Sequence, residues 1–396
     1  MIPLYLAASS LVNGCGAGWR EIGDALLQGR SGLRRNDFEP AQELDTWIGR
    51  VEGVEDVSLP DRYAGFDCRA NRLILMALEQ DGFAQAVHAL RARVGAERIG
   101  VFLGTSTSGI LDTELQARAA QRSGRAPHWP DDFYAQRHSM FAGVRFVREY
   151  LALRGPAFTV STACSSSAKV FGAAARAIAT GLCDAAVVGG ADSLALSTLH
   201  GFRALELLSR DPCRPCAVDR SGISIGEAAG FALLVREPRG AVSVRGCGES
   251  ADAWHMSSPH PDGAGAAAAM RAALEGAALT PDDIDYVNLH GTATPANDSA
   301  EDRAVTATLP HRPACSSTKG WTGHALGAAG ITEALITAFA LEQQWRPGTL
   351  NCDAVDPTLA MRVETRSQPA RLRHAMSNSF GFGGNNCCLL MSVGHE

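Results

Sequence analysis

Short apolar runs bounded by glycine or charged residues recur along the whole chain. The clearest lie at 98–104, 185–190, 230–235, 286–289 and 387–391. Apolar residues fill most positions of each run instead of every second one, which is typical of strands that are covered on both faces. The pattern therefore predicts buried strands at these five places.

Longer alanine-rich segments lie between these runs and predict helices, clearest at 168–180, 265–276 and 331–341. Strands that alternate with helices along a chain are typical of the α/β class. Small side chains let a helix pack closely between layers. We therefore expect the first and third of these helices to lie buried at the centre of the fold.

Two glycine-rich turns indicate an internal duplication. GEAAG (226–230) and GFGG (381–384) each come just before a late apolar strand, one in each half of the chain. REPRG (236–240) lies between the halves and contains both proline and glycine, which favour a linker. We therefore divide the chain into an N-terminal half at 1–240 and a C-terminal half at 241–396.

Composition excludes several classes of protein. The 396 residues carry a formal net charge of −6, which argues against a nucleic-acid binder. No apolar run approaches the roughly 20 residues of a membrane span, and the N-terminus has no basic segment typical of a signal peptide. The eleven cysteines are odd in number and scattered, so we expect free thiols and a cytoplasmic protein. The lone CxxC at 213–216 lacks the second pair that a zinc site needs, so no metal site is predicted.

Cys164 is the strongest candidate nucleophile. It lies in STACSSS (161–167), where small and hydroxyl residues indicate a tight turn from a strand into a helix. The free N–H groups at a helix N-terminus favour the thiolate, so this position is expected to lower the pKa of the thiol. The alternative is an inert core cysteine, and this run alone does not decide between the two.

Two histidines lie in similar runs of small residues. His290 is in LHGTATP (289–295), directly after an apolar strand, and His324 is in STKGWTGHALGAAG (317–330). Two neutral imidazoles can donate N–H groups to a developing enolate oxygen, and a thiol can carry an acyl group as a thioester. Together these residues favour acyl transfer and carbon–carbon bond formation. The sequence leaves open which histidine acts as proton donor or base.

With the glycine-rich run NSFGFGGN (378–385), these motifs resemble those of β-ketoacyl-acyl-carrier-protein synthases of the elongating type. The resemblance implies the thiolase-like fold, in which two similar α/β halves form αβαβα layers. It also implies decarboxylative condensation of an acyl group on the cysteine with malonyl carrier protein. Initiating synthases have asparagine in place of His324, and thiolases need a second catalytic cysteine that this chain lacks at the matching place.

The resemblance also implies a role for individual residues. Cys164 would be the nucleophile, His290 and His324 the decarboxylating pair, and Lys319 and Glu301 part of their hydrogen-bond network. The backbone N–H groups of Cys164 and Phe382 would form the oxyanion hole. The residues expected to contact substrate are Thr292, Thr294, Phe380 and Ile223.

Ile223 departs from the family, which usually has phenylalanine at the matching place in DRSGISIGE (219–227). A smaller side chain there would reshape the acyl pocket. We therefore hypothesise a non-standard acyl substrate, unsaturated or aryl-capped, and a polyene-type secondary pathway.

The resemblance implies an acyl carrier protein as partner, with substrates carried on its phosphopantetheine arm and no other cofactor. Carrier proteins are acidic, so a basic docking patch is expected, with Arg62, Arg69 and Arg72 as candidates. Relatives are dimers, which leaves a homodimer or a heterodimer with a chain-length-factor-like subunit. The alternative function is a non-catalytic subunit of that type, which is disfavoured because such subunits lack the cysteine.

Overall fold

The computed structural model describes residues 1–394, and the backbone there forms seventeen strands. All five of the predicted apolar runs are strands, namely β5, β7, β9, β11 and β17. The strands are β1 (Leu4–Asn13), β2 (Gly16–Ala17), β3 (Arg34–Arg35), β4 (Trp47–Gly49), β5 (Ile99–Gly104), β6 (Ala157–Val160), β7 (Ala185–Asp192), β8 (Ile225–Gly226), β9 (Ala228–Val235), β10 (Val242–Ala251), β11 (Tyr286–Asn288), β12 (Ala314–Ser316), β13 (Trp345–Arg346), β14 (Arg362–Val363), β15 (Gln368–Pro369), β16 (His374–Gly381) and β17 (Asn385–Val393).

Eleven α-helices lie in the same described part of the chain, and the three predicted ones are α6, α8 and α11. The helices are α1 (Trp19–Leu27), α2 (Arg69–Glu79), α3 (Phe83–Val94), α4 (Ile110–Ser123), α5 (Ala142–Tyr150), α6 (Ser166–Ala179), α7 (Leu196–Ala204), α8 (Ala264–Ala277), α9 (Pro295–Thr308), α10 (Lys319–Thr322) and α11 (Ala329–Gln343). None of the helices in residues 1–394 combines the length and the apolar composition that crossing a bilayer requires.

Twelve strands form one mixed sheet in the order β14-β12-β11-β16-β17-β10-β1-β9-β7-β5-β6, with β2 beside β1. Outward from the centre, β1-β9-β7-β5-β6 and β10-β17-β16-β11-β12 have the same sequence of antiparallel and parallel pairings. The internal duplication indicated by the two glycine turns is therefore present in the topology. The second half begins with β10 at Val242, and the exact boundary near residue 240 remains a prediction.

The two halves meet on a pair of buried helices. α6 packs against β5 and β7, α11 packs against β16 and β9, and the two helices contact each other. Gly330 makes this contact possible, because a Cβ there would lie 2.4 Å from the backbone nitrogen of Ala168. With α2 and α5 outside one half and α8 outside the other, the layers run αβαβα, as the resemblance implies.

This architecture brings the ends of three strands and the turn between two helices together. Cys164 follows β6, His290 follows β11, and Phe382 follows β16, while His324 lies between α10 and α11. In α/β sheets, ligands bind beyond the carboxyl ends of the strands, where the loops converge. Chemistry scattered over more than 200 residues of sequence is therefore collected in one place.

Candidate active site

Cys164 lies in a strained turn just before the central helix α6. Ala163 has a left-handed backbone with φ of 51°, which costs free energy in a residue that carries a Cβ. The turn is held by the backbone N–H of Thr162, which donates to Ser166 Oγ at 2.9 Å. The thiol, only 5% exposed, is therefore presented at the start of the helix in a fixed position.

The glycine loop after β16 packs directly on this turn. A Cβ on Gly381 would lie 2.7 Å from the carbonyl oxygen of Thr162 and 3.2 Å from the nitrogen of Cys164, so a larger residue would push the loop away. Because the loop approaches so closely, the backbone N–H of Phe382 acts on the Cys164 thiol and opposes the rise in its pKa. Two N–H groups, those of Cys164 and Phe382, are thus close to the atom that would be acylated.

His324 is held by the turn that follows it. The backbone N–H of Leu326 donates to His324 Nδ1 at 3.1 Å, so the ring proton resides on Nε2. The backbone of His324 is itself paired with β8, since its N–H donates to Ser224 at 2.7 Å and its carbonyl accepts from Gly226 at 3.0 Å. The ring therefore offers an N–H donor from a rigid support.

His290 has the same tautomer for a different reason. The Lys319 ammonium lies 3.3 Å from His290 Nδ1 and also donates to the His290 carbonyl oxygen. An ammonium can only donate, so Nδ1 is an acceptor and the ring proton is again on Nε2. The rings of His290 and His324 pack edge to face with centroids 5.2 Å apart. Both imidazoles thus carry their ring proton on Nε2.

Lys319 is paired with Glu333, a residue that the sequence analysis missed. The ammonium donates to Glu333 Oε1, and both side chains are almost wholly buried. A signal was present, because Glu333 is the one acidic residue among the apolar positions 329–341, and a buried acid usually needs a charged partner. Lys319 therefore bridges an acid on α11 and the loop that carries His290.

Glu301 holds the His290 loop through the backbone. Its carboxylate accepts the N–H groups of His290 and Gly291, each at 2.8 Å, and the side-chain amide of Asn378 at 3.1 Å. Burial raises the pKa of Glu301 to about 7, although these three donors act in the opposite direction. Its geometry is that of a group that positions His290.

Burial also sets the charge states of the three central groups. Burial and the nearby Lys319 hold the pKa of both His290 and His324 well below the usual range, so both rings are neutral. Burial raises the pKa of Cys164 to about 11, against the opposing effects of Lys319 and the Phe382 N–H. The lowered thiol pKa predicted from the helix N-terminus is therefore wrong in its net direction, because desolvation of the thiolate outweighs the favourable field.

These groups line a cavity of about 290 Å³. Thr292 and Thr294 lie on its wall with their hydroxyl oxygens 2.9 Å apart. The ring of Phe382 packs on Phe202 at 5.5 Å, and Leu207, another residue that the sequence analysis did not single out, lies nearby on the lining. The remaining predicted substrate contacts, Phe380 and Ile223, also line the cavity. One polar and one apolar region therefore meet at the thiol.

Cys164 Sγ and a nitrogen of each catalytic-site histidine lie within 4.8 Å of one another. One thiolate and two imidazoles are ligand types that zinc accepts. The Nδ1 atoms of His290 and His324 are already bonded within the protein, and a metal on the remaining atoms would occupy the thiol.

The predicted docking patch needs correction at Arg69. Its guanidinium makes two hydrogen bonds to the buried Glu227, at 2.6 and 2.7 Å, and its side chain is only 9% exposed. Arg72 is paired with Asp67 at 2.6 and 2.8 Å. The Arg69 guanidinium is thus occupied by carboxylates of the chain itself and is mostly buried, which makes it a poor docking residue, whereas Arg62 is exposed and stays a candidate.

Two family models match the chain. Residues 68–239 match the model described as "Beta-ketoacyl synthase, N-terminal domain", and residues 241–353 match "Beta-ketoacyl synthase, C-terminal domain". The 3-oxoacyl-[acyl-carrier-protein] synthase 2 of Vibrio cholerae is 36% identical over 407 aligned residues, covering 92% of this chain and 93% of that protein. The corresponding synthase 2 of Vibrio harveyi is 35% identical and covers 92% of each chain.

Solved structures agree with these matches. A ketosynthase of Xenorhabdus doucetiae, solved in complex with its chain length factor, superposes with a TM-score of 0.90 and is 39% identical, covering 99% of this chain and 98% of that one. A β-ketoacyl synthase of Burkholderia phymatum superposes with a TM-score of 0.89 at 28% identity, covering both chains fully. Sequence and fold are therefore similar to those of the same group of proteins.

Proposed function

The chain belongs to the β-ketoacyl synthase family, and on that premise we propose that it is an elongating 3-oxoacyl-acyl-carrier-protein synthase. It condenses an acyl group held on Cys164 with malonyl carrier protein, releases CO2 and produces a β-ketoacyl carrier protein that is two carbons longer. The observation that carries the proposal is the meeting of a buried thiol with two neutral Nε2–H imidazoles in one cavity.

Acyl transfer comes first. Cys164 Sγ attacks the carbonyl carbon of the acyl thioester, and the negative oxygen that forms accepts N–H groups from Cys164 and Phe382. The carrier thiol leaves with the proton of the cysteine. Because the thiol is protonated at rest, this proton moves as the sulfur attacks, and the free carrier carries it away.

Condensation follows when malonyl carrier protein enters. His290 and His324 donate their Nε2–H groups to the thioester oxygen of the malonyl group, which stabilises the enolate that remains when CO2 leaves. The enolate carbon attacks the acyl carbonyl on Cys164, the new carbon–carbon bond forms, and the thiolate leaves and takes up a proton. Neutral rings suit this buried cavity, because an imidazolium there would bear the cost of removing its charge from water.

We propose that the reaction uses no metal or bound cofactor, since the phosphopantetheine arm of the carrier delivers both substrates. Thr292 and Thr294 would bind this arm on the polar side of the cavity. Ile223 and Phe380 would contact the acyl group. We propose that this acyl group is unsaturated or aryl-capped and that the protein acts in a polyene-type secondary pathway.

The proposed assembly is a dimer through β6, either of two identical chains or with a chain-length-factor-like subunit. β6 is the last strand at one end of the twelve-stranded sheet, and Phe158 on it is 51% exposed. Unpaired strand edges are surfaces that a second chain can extend. The Xenorhabdus relative, which is solved with a chain length factor, supports the heterodimer.

The eleven unpaired cysteines support a reducing compartment, and we propose the cytoplasm.

The test is intact-mass spectrometry after mixing the protein with a panel of acyl-carrier thioesters. We expect a mass increase of one acyl group that Cys164→Ala abolishes and Cys183→Ala retains, since Cys183 is a buried thiol outside the cavity. The preferred acyl group would identify the pathway. Absence of acylation with every carrier substrate would contradict the proposal and favour a partner-dependent subunit.

A further inference from the structure

A buried carboxylate lies beside the turn that supports His324, and it comes from the other half of the molecule. Asp192 is the last residue of β7 and is completely inaccessible to solvent. Its two oxygens accept hydrogen bonds from two segments, the loop after β5 and the turn after His324. The donors are Thr105 Oγ1 (2.6 Å), Ser106 N (3.0 Å), Ser106 Oγ (2.5 Å), Thr107 N (3.0 Å), Thr107 Oγ1 (2.8 Å) and Gly327 N (2.6 Å).

The hydrogen bond from Gly327 to Asp192 lies one residue along the chain from the hydrogen bond that holds the His324 ring. Gly327 follows Leu326, whose backbone is left-handed with φ of 52°, a strained conformation that needs external support. The N–H of Leu326 is the group that donates to His324 Nδ1. Because Asp192 holds the next N–H along the chain, it fixes the peptide plane between Leu326 and Gly327 and thereby the direction of the turn.

The backbone at Gly327 is packed too closely against Ser106 and Asp192 to admit a side chain. A Cβ on Gly327 would lie 2.6 Å from the nitrogen of Ser106 and 2.7 Å from Asp192 Oδ2. Ser106 Oγ also accepts from the Gly327 N–H at 3.2 Å. The turn after His324 is therefore clamped against the loop after β5, and the carboxylate is the centre of the clamp.

We propose that Asp192 is a positioning residue for condensation, which keeps the His324 ring in its Nε2–H tautomer and in line with the enolate by holding the Leu326–Gly327 peptide. The inference rests on the proposed function. Asp192 is not among the residues that line the cavity, and its charge affects the pKa of Cys164 less than burial, Lys319, the Phe382 N–H and Glu333 do. It should therefore affect the two half-reactions differently.

The experiment compares Asp192→Asn with the full-length wild-type protein. An amide has one acceptor oxygen and no charge, so it cannot satisfy all six donors. We expect decarboxylation of malonyl carrier protein to slow at least tenfold, while the acylation of Cys164, followed by intact mass, changes less than threefold. Asp285→Asn is the matched control, because that carboxylate also accepts two backbone N–H groups, from Arg373 and His374, but at the opposite end of β11.

A second variant reaches the same contact from the other side. Gly327→Ala leaves the carboxylate intact but places a methyl group where the Gly327 peptide meets Asp192, and we expect the same selective loss of decarboxylation. Thermal melting shows which of the two variants is folded. An equal loss in both half-reactions by a folded variant, or no loss in either, would overturn the proposal.

Ring ¹⁵N chemical shifts of His324 provide a readout that does not need turnover. In histidine-labelled protein, with the signal assigned by its absence in His324→Gln, we expect a single Nε2–H tautomer that becomes a mixture in Asp192→Asn. If the wild type neither acylates nor decarboxylates, the proposed function fails, and these shifts still test the role of Asp192. An unchanged tautomer in the variant would contradict that role.

Discussion

The two halves of this protein place a loop at the same topological position and use it differently. In the N-terminal half, the loop after β5 carries Thr105, Ser106 and Thr107, and it is held by the carboxylate of Asp192. In the C-terminal half, the loop after β11 carries His290, and it is held by the carboxylate of Glu301. Both carboxylates are buried, and both accept consecutive backbone N–H groups.

The difference lies in what the anchored loop presents. The three hydroxyls of the first loop all donate hydrogen bonds to the Asp192 carboxylate, so their role is structural. In the second loop, the anchor uses backbone N–H groups alone and leaves the imidazole free to line the cavity. In this duplicated scaffold, one copy of the loop therefore carries a side chain of the site, and the other copy stabilises the turn that supports His324.

The largest effect is expected from replacing the group that each loop presents. His290→Ala removes one donor to the enolate oxygen and should lower the condensation rate by about 10²–10³-fold. Thr107→Val removes one hydrogen bond to Asp192 and should cost about 1 kcal/mol of stability with less than a tenfold change in rate. Steady-state kinetics and denaturant melts of both variants measure the contrast. Comparable rate losses would show that the two loops are equally involved in catalysis.

Two buried ion pairs extend the comparison. Lys319→Met leaves Glu333 buried without its partner, and Arg69→Met does the same to Glu227, so each should lose about 3–5 kcal/mol of stability. Only Lys319→Met also frees Nδ1 of His290, and it alone should slow condensation more than tenfold. Urea melts give the first quantity and condensation rates the second. A similar slowing in Arg69→Met would contradict the separation of structural and catalytic pairs.

The smallest effect is expected from the pH dependence of stability. The folded-state pKa of Glu301 is about 7 against an ordinary value of 4.5, so between these pH values the folded protein holds a proton that the unfolded chain has released. The contribution of Glu301 to stability should therefore fall as the pH rises from about 4.5 to 7 and level off above, whereas the buried neutral His290 and His324 contribute with the opposite sign below about pH 6.5. Glu333 contributes in the same direction as Glu301.

Glu301→Gln removes one of these two titrating acids and leaves the histidines in place, so the slope of melting temperature against pH should be more positive over this range than that of the wild type. The variant keeps an acceptor oxygen for the His290 loop, which limits the loss of activity. Thermal melts at pH 5, 6 and 7 give the two slopes. Parallel slopes would show that Glu301 is already ionised in the folded protein at pH 5.

Five of the seventeen strands in residues 1–394, the two central helices and the candidate residues for the chemistry could be predicted from the sequence. Buried strands and helices leave a local record in the order of apolar and small residues, which is why β5, β7 and α6 could be placed before the fold was known. The motifs around Cys164, His290 and His324 are local in the same sense, because a tight turn restricts residue types at neighbouring positions.

The charge states, ion pairs and supporting hydrogen bonds of these residues depend on the tertiary structure. Glu333 as the partner of Lys319, Glu227 as the partner of Arg69 and the clamp of Asp192 on Gly327 join positions 14, 158 and 135 residues apart. The raised pKa of Cys164 also follows from burial by segments that are distant in sequence. Residue order constrains what each segment can form, but electrostatics depend on distance in space and on exclusion of water, and both arise only when the two halves close on α6 and α11.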